Sequence, residues 1–195
     1  MKFSLAIAAS MAASAIASPV ANGKWGWSKK GQDKVGKSDV FTFTSTYEVW
    51  ATPDQVVNMT NAYTGGLAGA SGLYKLGLNS KENTICYNIT LYNFRGEYQS
   101  PAVTATHLHE SDKGKSGPPR IAFPNPQPIA EGVRRSVGCI VGPFRTGLNA
   151  TGTTTDTGAN FNVAQIEANP KGFNVDVHSS LAVPGAVRGQ LSDCK

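Results

Sequence analysis

Two of the chain's three histidines lie one residue apart, in the segment THLHES at residues 106–111. On a strand, His107 and His109 would project from the same face, roughly 6–7 Å apart along the backbone. His178 lies about seventy residues later in VDVHSS, a second segment with the alternation of a strand. Imidazole suits both zinc and copper, and three imidazoles with an open position form a reactive metal site. We therefore predict a metal site built from His107, His109 and His178.

Two acidic residues lie beside these histidines in the sequence. Asp176 shares a strand face with His178 and is predicted to orient an imidazole from behind the metal. Glu110 points to the opposite face from His109, where it would be solvated or bonded to the next loop. The alternative is a site without metal, in which the histidine pair packs against that loop and His178 hydrogen-bonds Asp176 or a backbone carbonyl.

Other catalytic motifs are missing from the sequence. It contains no Gly-X-Ser-X-Gly elbow and no phosphate-binding loop. The histidine pattern is therefore the strongest indication of chemistry in the chain.

Alternating patterns predict the strands that would carry the histidines. From Val40, the segment VFTFTSTYEVW alternates like a half-buried strand. LYKLGLN and TICYNITLYNF predict a hairpin joined by SKEN. Further strands are predicted at residues 101–109, in FNVDVHSS and in AVRGQL, the last preceded by a turn at Pro184 and Gly185.

Two short helices and one long loop are predicted in the connections. ATPDQVVNMTNAYTGG has the signature of a helix with Thr52 as N-cap, Pro53 at the first position and Gly65 at the end. FNVAQIEANP predicts a second helix that ends at Pro170. SDKGKSGPPRIAFPNPQPIAEG is rich in Pro and Gly and predicts a long ordered loop. The fold class predicted is mainly β, an antiparallel sandwich or barrel with one or two short helices.

The N-terminal sequence predicts the location of the protein. Residues 1–18, MKFSLAIAASMAASAIAS, predict a secretory signal peptide. Residues 19–38 predict a flexible basic arm, and residues 39–195 a single β domain. The formal net charge of +5 is mild, so we expect no nucleic-acid partner. No later segment is long and apolar enough to span a membrane, and the expected location is extracellular or in a cell wall.

An oxidising compartment favours one disulfide among three cysteines. Cys86 with Cys139 is preferred because Cys194 is one residue from the chain end, where fraying weakens a constraint. Cys139 with Cys194 is the alternative. Secretion would also expose three Asn-X-Ser/Thr sequences to N-glycosylation, at Asn58, Asn88 and Asn149.

Several longer segments accompany the histidine motifs: NSKENTICYNITLYNFRGEYQSPAVTATHLHE, GPPRIAFPNP, GCIVGPF and QIEANPKGF. Together with DVHSS before PGAVRGQL, they resemble the fungal secreted form of the CHRD (chordin-type) domain. The resemblance covers roughly residues 40–192. It implies an antiparallel β-sandwich whose motif histidines correspond to His107, His109 and His178.

The same arrangement is similar to copper/zinc superoxide dismutases. These carry a His-X-His-Glu strand, a long Gly/Pro-bearing loop, a late strand with another copper-binding histidine and an arginine that attracts the anionic substrate. The similarity implies a Greek-key sandwich, copper at the three histidines and Arg188 as the arginine that attracts superoxide. The sequence has no fourth histidine, which excludes the zinc site that these dismutases carry beside their copper.

The sequence thus predicts a secreted copper-only superoxide dismutase, with zinc as the alternative metal of the three-histidine site. Two other functions stay open. One is a non-catalytic extracellular module that binds a wall polymer or another protein, and the other is copper storage or delivery. Arg188 also has an alternative role, as a salt bridge or carbonyl clamp for the last strand.

Overall fold

A computed structural model describes residues 42–191 of the chain. The predicted signal peptide (1–18), the basic arm (19–38) and Cys194 lie outside these residues. Within them the chain forms two antiparallel sheets, which confirms the predicted mainly β sandwich. No helix in this part of the chain has the length and apolar character needed to cross a membrane.

The strands and helices follow one another along the chain as follows. The first five strands are β1 (Ser45–Ala51), β2 (Ser71–Asn79), β3 (Thr84–Tyr92), β4 (Thr106–Glu110) and β5 (Pro119–Phe123). The other four are β6 (Gln127–Ala130), β7 (Val133–Val141), β8 (Phe173–Ser179) and β9 (Ala182–Gln190). The α-helix α1 spans Ala164–Ala168, and single 3-10 turns span Pro53–Gln55 and Pro170–Gly172.

The strands pair into a five-stranded sheet in the order β1-β2-β3-β7-β6 and a four-stranded sheet in the order β5-β4-β8-β9. The chain passes from one sheet to the other after β3, β5 and β7. The inner faces of both sheets contribute to one hydrophobic core, in which Tyr74, Ile89, Leu108 and Val175 are fully buried. Burying one such aliphatic side chain contributes about 1.5–3 kcal/mol.

The predicted hairpin and disulfide are both present in the five-stranded sheet. β2 and β3 pair along their whole length, from Ser71 with Tyr92 to Asn79 with Thr84. Cys86 on β3 lies directly opposite Cys139 on β7, and the two are disulfide-bonded. The bond joins strands separated by 53 residues in sequence.

The first predicted strand and the first predicted helix are shorter than expected. Among the described residues the strand begins at Ser45 and leaves out residues 42–44, while Val40 and Phe41 of the predicted segment lie outside the described residues. The helix is reduced to the 3-10 turn that starts at Pro53, and Val56 is already extended and only 2% exposed. Further along, the side-chain oxygen of Asn58 accepts hydrogen bonds from the backbone N–H groups of Thr60 and Ala62, which stabilises a turn there instead of a helix. The second predicted helix is confirmed as α1.

The predicted long loop at 111–132 is wrong, because it contains β5 and β6. Both strands lie at the edges of their sheets. Proline is tolerated at a sheet edge, where no partner strand needs its missing N–H. Pro119 and Pro128 therefore mark edge strands rather than a loop. β7, which the alternating patterns did not predict, is a central strand between β3 and β6.

The predicted turn at Pro184 and Gly185 is also wrong. Both residues belong to β9, and the connection from β8 lies at residues 180–181. Val177 pairs with Val187, and Ser179 pairs with Ala182. Four residues of β9 thus face one residue of β8, and Pro184 and Gly185 form part of this wide bulge.

Candidate metal centre

The outer face of the four-stranded sheet carries the predicted site. His107 on β4 is paired with Asp176 on β8, and Asp176 is paired with Arg188 on β9. These three residues form one row across the sheet. His109 and His178 lie two residues further along β4 and β8, on the same face.

The structure brings the three histidines and Asp176 together, and we call these four residues the cluster. Their donor atoms all lie within 4.8 Å of one another. Asp176 Oδ1 is 3.4 Å from His107 Nδ1, while Asp176 Oδ2 is 3.3 Å from His109 Nε2 and 3.1 Å from His178 Nε2. Two nitrogen or oxygen ligands of one tetrahedral metal ion lie about 3.3 Å apart, given bonds of roughly 2.0–2.1 Å.

Backbone carbonyls fix the direction of each imidazole. His107 Nε2 donates to the carbonyl of Thr104 at 2.7 Å. His109 Nδ1 donates to Gly117 and His178 Nδ1 to Val183, each at 2.9 Å. A carbonyl can only accept, so the outer nitrogen of each ring carries its hydrogen. In the neutral ring the inner nitrogen then presents a lone pair to the cluster, as metal-binding histidines do.

Two irregularities in strand pairing create these carbonyl contacts. The β4–β5 register shifts after Leu108, so that His109 is paired with Pro119. This shift brings the Gly117 carbonyl to the His109 ring. The wide bulge of β9 lies opposite His178 and supplies the Val183 carbonyl. The bulges therefore serve the site, because a regular ladder would commit both carbonyls to the neighbouring strand.

Three polar atoms of the cluster are buried without a hydrogen-bond partner: His107 Nδ1, His109 Nε2 and Asp176 Oδ1. Buried polar atoms in a folded protein are normally satisfied, and an unsatisfied group points to a missing ligand. All three are acceptors when the rings are neutral, and a cation satisfies acceptors. The residues present thus fit a metal ion bound by three nitrogens and one carboxylate.

The electrostatics of the cluster also favour a cation. Burial alone would raise the pKa of Asp176, but positive charge on the neighbouring imidazoles of His109 and His178 holds it well below its usual range. Burial alone would lower the pKa of His178, but the Asp176 charge and the hydrogen bonds to Asp176 and Val183 raise it to about 9. Without metal, the carboxylate stays ionised and a proton takes the place of the ion.

Asp176 was predicted to support an imidazole from behind the metal, and it instead faces all three rings. Its backbone carbonyl accepts a hydrogen bond of 2.8 Å from the Tyr74 hydroxyl, which comes from the other sheet. Glu110 lies away from the cluster, as expected, and binds Arg120 at 2.7 Å.

Arg188 is 7% exposed and ties down the loop after β4. Its Nη2 donates to Ser111 Oγ at 3.2 Å and to the Asp112 carbonyl at 3.3 Å. These hydrogen bonds join β9 to the loop after β4. Burial lowers the pKa of Arg188, although the charge of Asp176 opposes this, and a guanidinium stays charged at neutral pH.

Two polar residues of this face were missed. Asn174 Nδ2 donates to Ser111 Oγ at 2.8 Å, and Gln190 Nε2 donates to the Ser111 carbonyl at 2.9 Å and to the Lys171 carbonyl at 2.7 Å. Asn174 and Gln190 are each only 1% exposed. The signal was available, since each lies two residues from Asp176 or Arg188 and shares its face.

A cleft of about 860 Å³ opens over the cluster. Its base is formed by the cluster and Arg188. Its walls come from residues 56–60, 99–101, 116–117, 119 and 183–184, and from Ser111, Leu148 and Asn174. The cleft gives a bound ion access to ligands from solvent.

The predicted glycosylation sites differ in exposure. Asn149 is exposed, whereas Asn58 and Asn88 are half-buried. Asn58 lies at the wall of the cleft, and Asn88 lies on β3 opposite Val137. Modification at all three stays a prediction.

The family model of the CHRD domain matches residues 48–191 of this chain. The match contains all four residues of the cluster and Arg188. No curated protein and no solved structure matches the chain.

Proposed function

This chain belongs to the CHRD domain family, and we propose that it acts as a secreted copper-only superoxide dismutase. The observation that carries the proposal is the convergence of three imidazole lone pairs and one carboxylate at the base of an open cleft. The predicted signal peptide and the Cys86–Cys139 disulfide support an oxidising, extracellular location.

The histidines of the cluster would hold the ion, and Arg188 beside them would attract the substrate. His107, His109 and His178 are the donors to copper, and their carbonyl partners keep them aimed without a ligand. Bound copper supplies one-electron chemistry between Cu(II) and Cu(I), which is what superoxide dismutation requires. Arg188 places a fixed positive charge at the base of the cleft, which draws in an anion.

Metal loading and turnover test this proposal together. Protein produced with and without copper is analysed for bound metals and assayed for superoxide consumption. We expect one tightly bound copper per chain and turnover that His109→Ala abolishes. Glu110→Gln is the matched control, because the neighbouring Glu110 side chain contacts Arg120 and not the cluster. Copper-loaded protein without turnover, or turnover unchanged in His109→Ala, would refute the enzyme.

The position of Asp176 favours a second function, a non-catalytic extracellular binding module with a structural metal. If Asp176 binds the ion, the protein supplies four ligands, which is typical of structural zinc sites. X-ray absorption of the loaded protein decides between the two. Four protein ligands and a preference for zinc would support the module, while a solvent ligand on copper would support the enzyme. Tight copper binding without turnover would support copper storage or delivery instead.

A further inference from the structure

The cleft over the cluster is much larger than superoxide requires. Its volume is about 860 Å³, whereas a diatomic anion is similar in size to a water molecule, which takes about 30 Å³ in the liquid. Clefts of roughly 300–1,000 Å³ are the usual binding sites of small organic molecules. The dimensions therefore indicate an organic ligand.

The walls of the cleft are mainly apolar. The lining side chains without polar atoms are Val56, Val57, Pro101, Pro119, Leu148, Val183 and Pro184. Val56 and Val57 are buried, which makes their part of the wall firm, whereas Val183 is 53% exposed. A ligand that covers Val183 removes apolar surface from water, and this favours a ligand with an apolar body.

The base of the cleft has the opposite character. Among the residues that line it, Asp176 is the acid and Arg188 the permanent cation. A bound divalent ion would leave a positive excess there. Within residues 42–191, both hydrogen bonds found for the Arg188 side chain are donated by Nη2. The other two guanidinium nitrogens, Nε and Nη1, carry three further N–H groups that can donate to a ligand. The base therefore suits an anionic group.

We propose that the cleft binds an organic monocarboxylate with an apolar chain. The carboxylate would lie at the base, toward the ion and Arg188, and the chain would lie along Val57 and Val183. This assignment rests on the proposed function in one respect, because one of the two positive charges that would attract the carboxylate is the metal ion of the cluster and the other is Arg188. A bound acid would also compete with superoxide for the same opening.

Binding of a series of straight-chain acids tests the proposal. Acetate, butyrate, hexanoate and octanoate are titrated into metal-loaded protein by calorimetry, with superoxide turnover as a second readout. We expect affinity to rise roughly two- to fourfold per methylene, as apolar burial predicts. Leu148→Asn should weaken octanoate but not acetate, and Arg188→Gln should weaken both. Val137→Thr is the matched control, because Val137 is exposed on the other sheet.

The outcomes separate this proposal from the proposed function. Equal affinities for acetate and octanoate, or an unchanged octanoate affinity in Leu148→Asn, would overturn the organic ligand even if copper binds and turnover is full. Failure of the metal site would appear independently, as absence of metal in elemental analysis. In that case the walls and Arg188 remain, and the same rise with chain length at lower affinity would still support the cleft as an acid-binding site.

Discussion

The two sheets bury their inner faces in the same core but treat their outer faces in opposite ways. On the five-stranded sheet the outer face is open to solvent, with Val137 64% exposed and Trp50 53% exposed. On the four-stranded sheet the outer face is covered by loops, with His107 only 1% exposed and Arg188 7% exposed. The protein thus leaves apolar side chains in water on one side and buries charged ones on the other.

This difference indicates that the outer face of the four-stranded sheet is the binding face. Burying a polar group costs free energy unless it is hydrogen-bonded, and burying a charge costs more. Here Asn174, Arg188 and Gln190 converge on the residue 111–112 loop, and carbonyls hold each imidazole. Folding alone would be served by an apolar face, so the buried polar groups are explained by binding.

Removing one imidazole should have the largest effect. Structural zinc bound by four ligands in zinc-finger peptides contributes about 10–16 kcal/mol, which corresponds to about 2.5–4 kcal/mol for each ligand. We expect His107→Ala to weaken metal binding about a hundred- to a thousandfold in a competition titration with a chelator. Val137→Thr on the other sheet should leave the affinity unchanged. Equal affinities in the two variants would remove the distinction between the faces.

Removing the disulfide of the five-stranded sheet should lower the stability of the protein without changing the metal site. The bond closes a segment of 53 residues, and such bonds contribute about 2–4 kcal/mol to stability. We expect Cys86→Ala with Cys139→Ala to lower the free energy of unfolding of the metal-free protein by about that amount, measured in urea. Metal affinity should not change, and a loss of affinity would show that the site depends on the other sheet.

A methyl group at Gly117 should disturb the site without touching a donor. A Cβ there would lie 2.1 Å from the Glu110 carbonyl oxygen, so the backbone must move and take the His109 partner with it. Losing such an orienting contact typically costs 10–100-fold in metal affinity. We expect Gly117→Ala to fall in that range, and Ser116→Ala to match the parent protein. Unchanged affinity would mean that the carbonyl does not orient His109.

The stability of the metal-free protein should depend on pH through His178. Its pKa is raised from 6.5 to about 9, so the stabilisation is complete below about pH 6.5 and is lost as the pH rises through 9. We expect the melting temperature to fall over this window. In His178→Gln the fall should disappear, and its persistence there would assign the effect to another group.

The sequence predicted which side chains share a strand face, but it did not predict which neighbouring segments contact them. Alternation placed His107 with His109 and Asp176 with His178, because strand periodicity depends only on local backbone geometry. It could not show that Thr104, Gly117 and Val183 aim the rings, since any residue has a carbonyl. The prolines at 119 and 128 misled because proline, which has no backbone N–H, is tolerated equally in loops and in edge strands.

Arg188 anchors two walls of the cleft at once. Its backbone exchanges hydrogen bonds of 2.9 and 3.1 Å with Thr52, where the segment leading to Val56 begins, and its side chain holds Ser111. The width of the opening is thereby set by a strand of the sheet and not by loop motion. When a ligand binds in a cleft that is already ordered, little conformational entropy of the protein is lost. Even a small molecule can therefore bind tightly there.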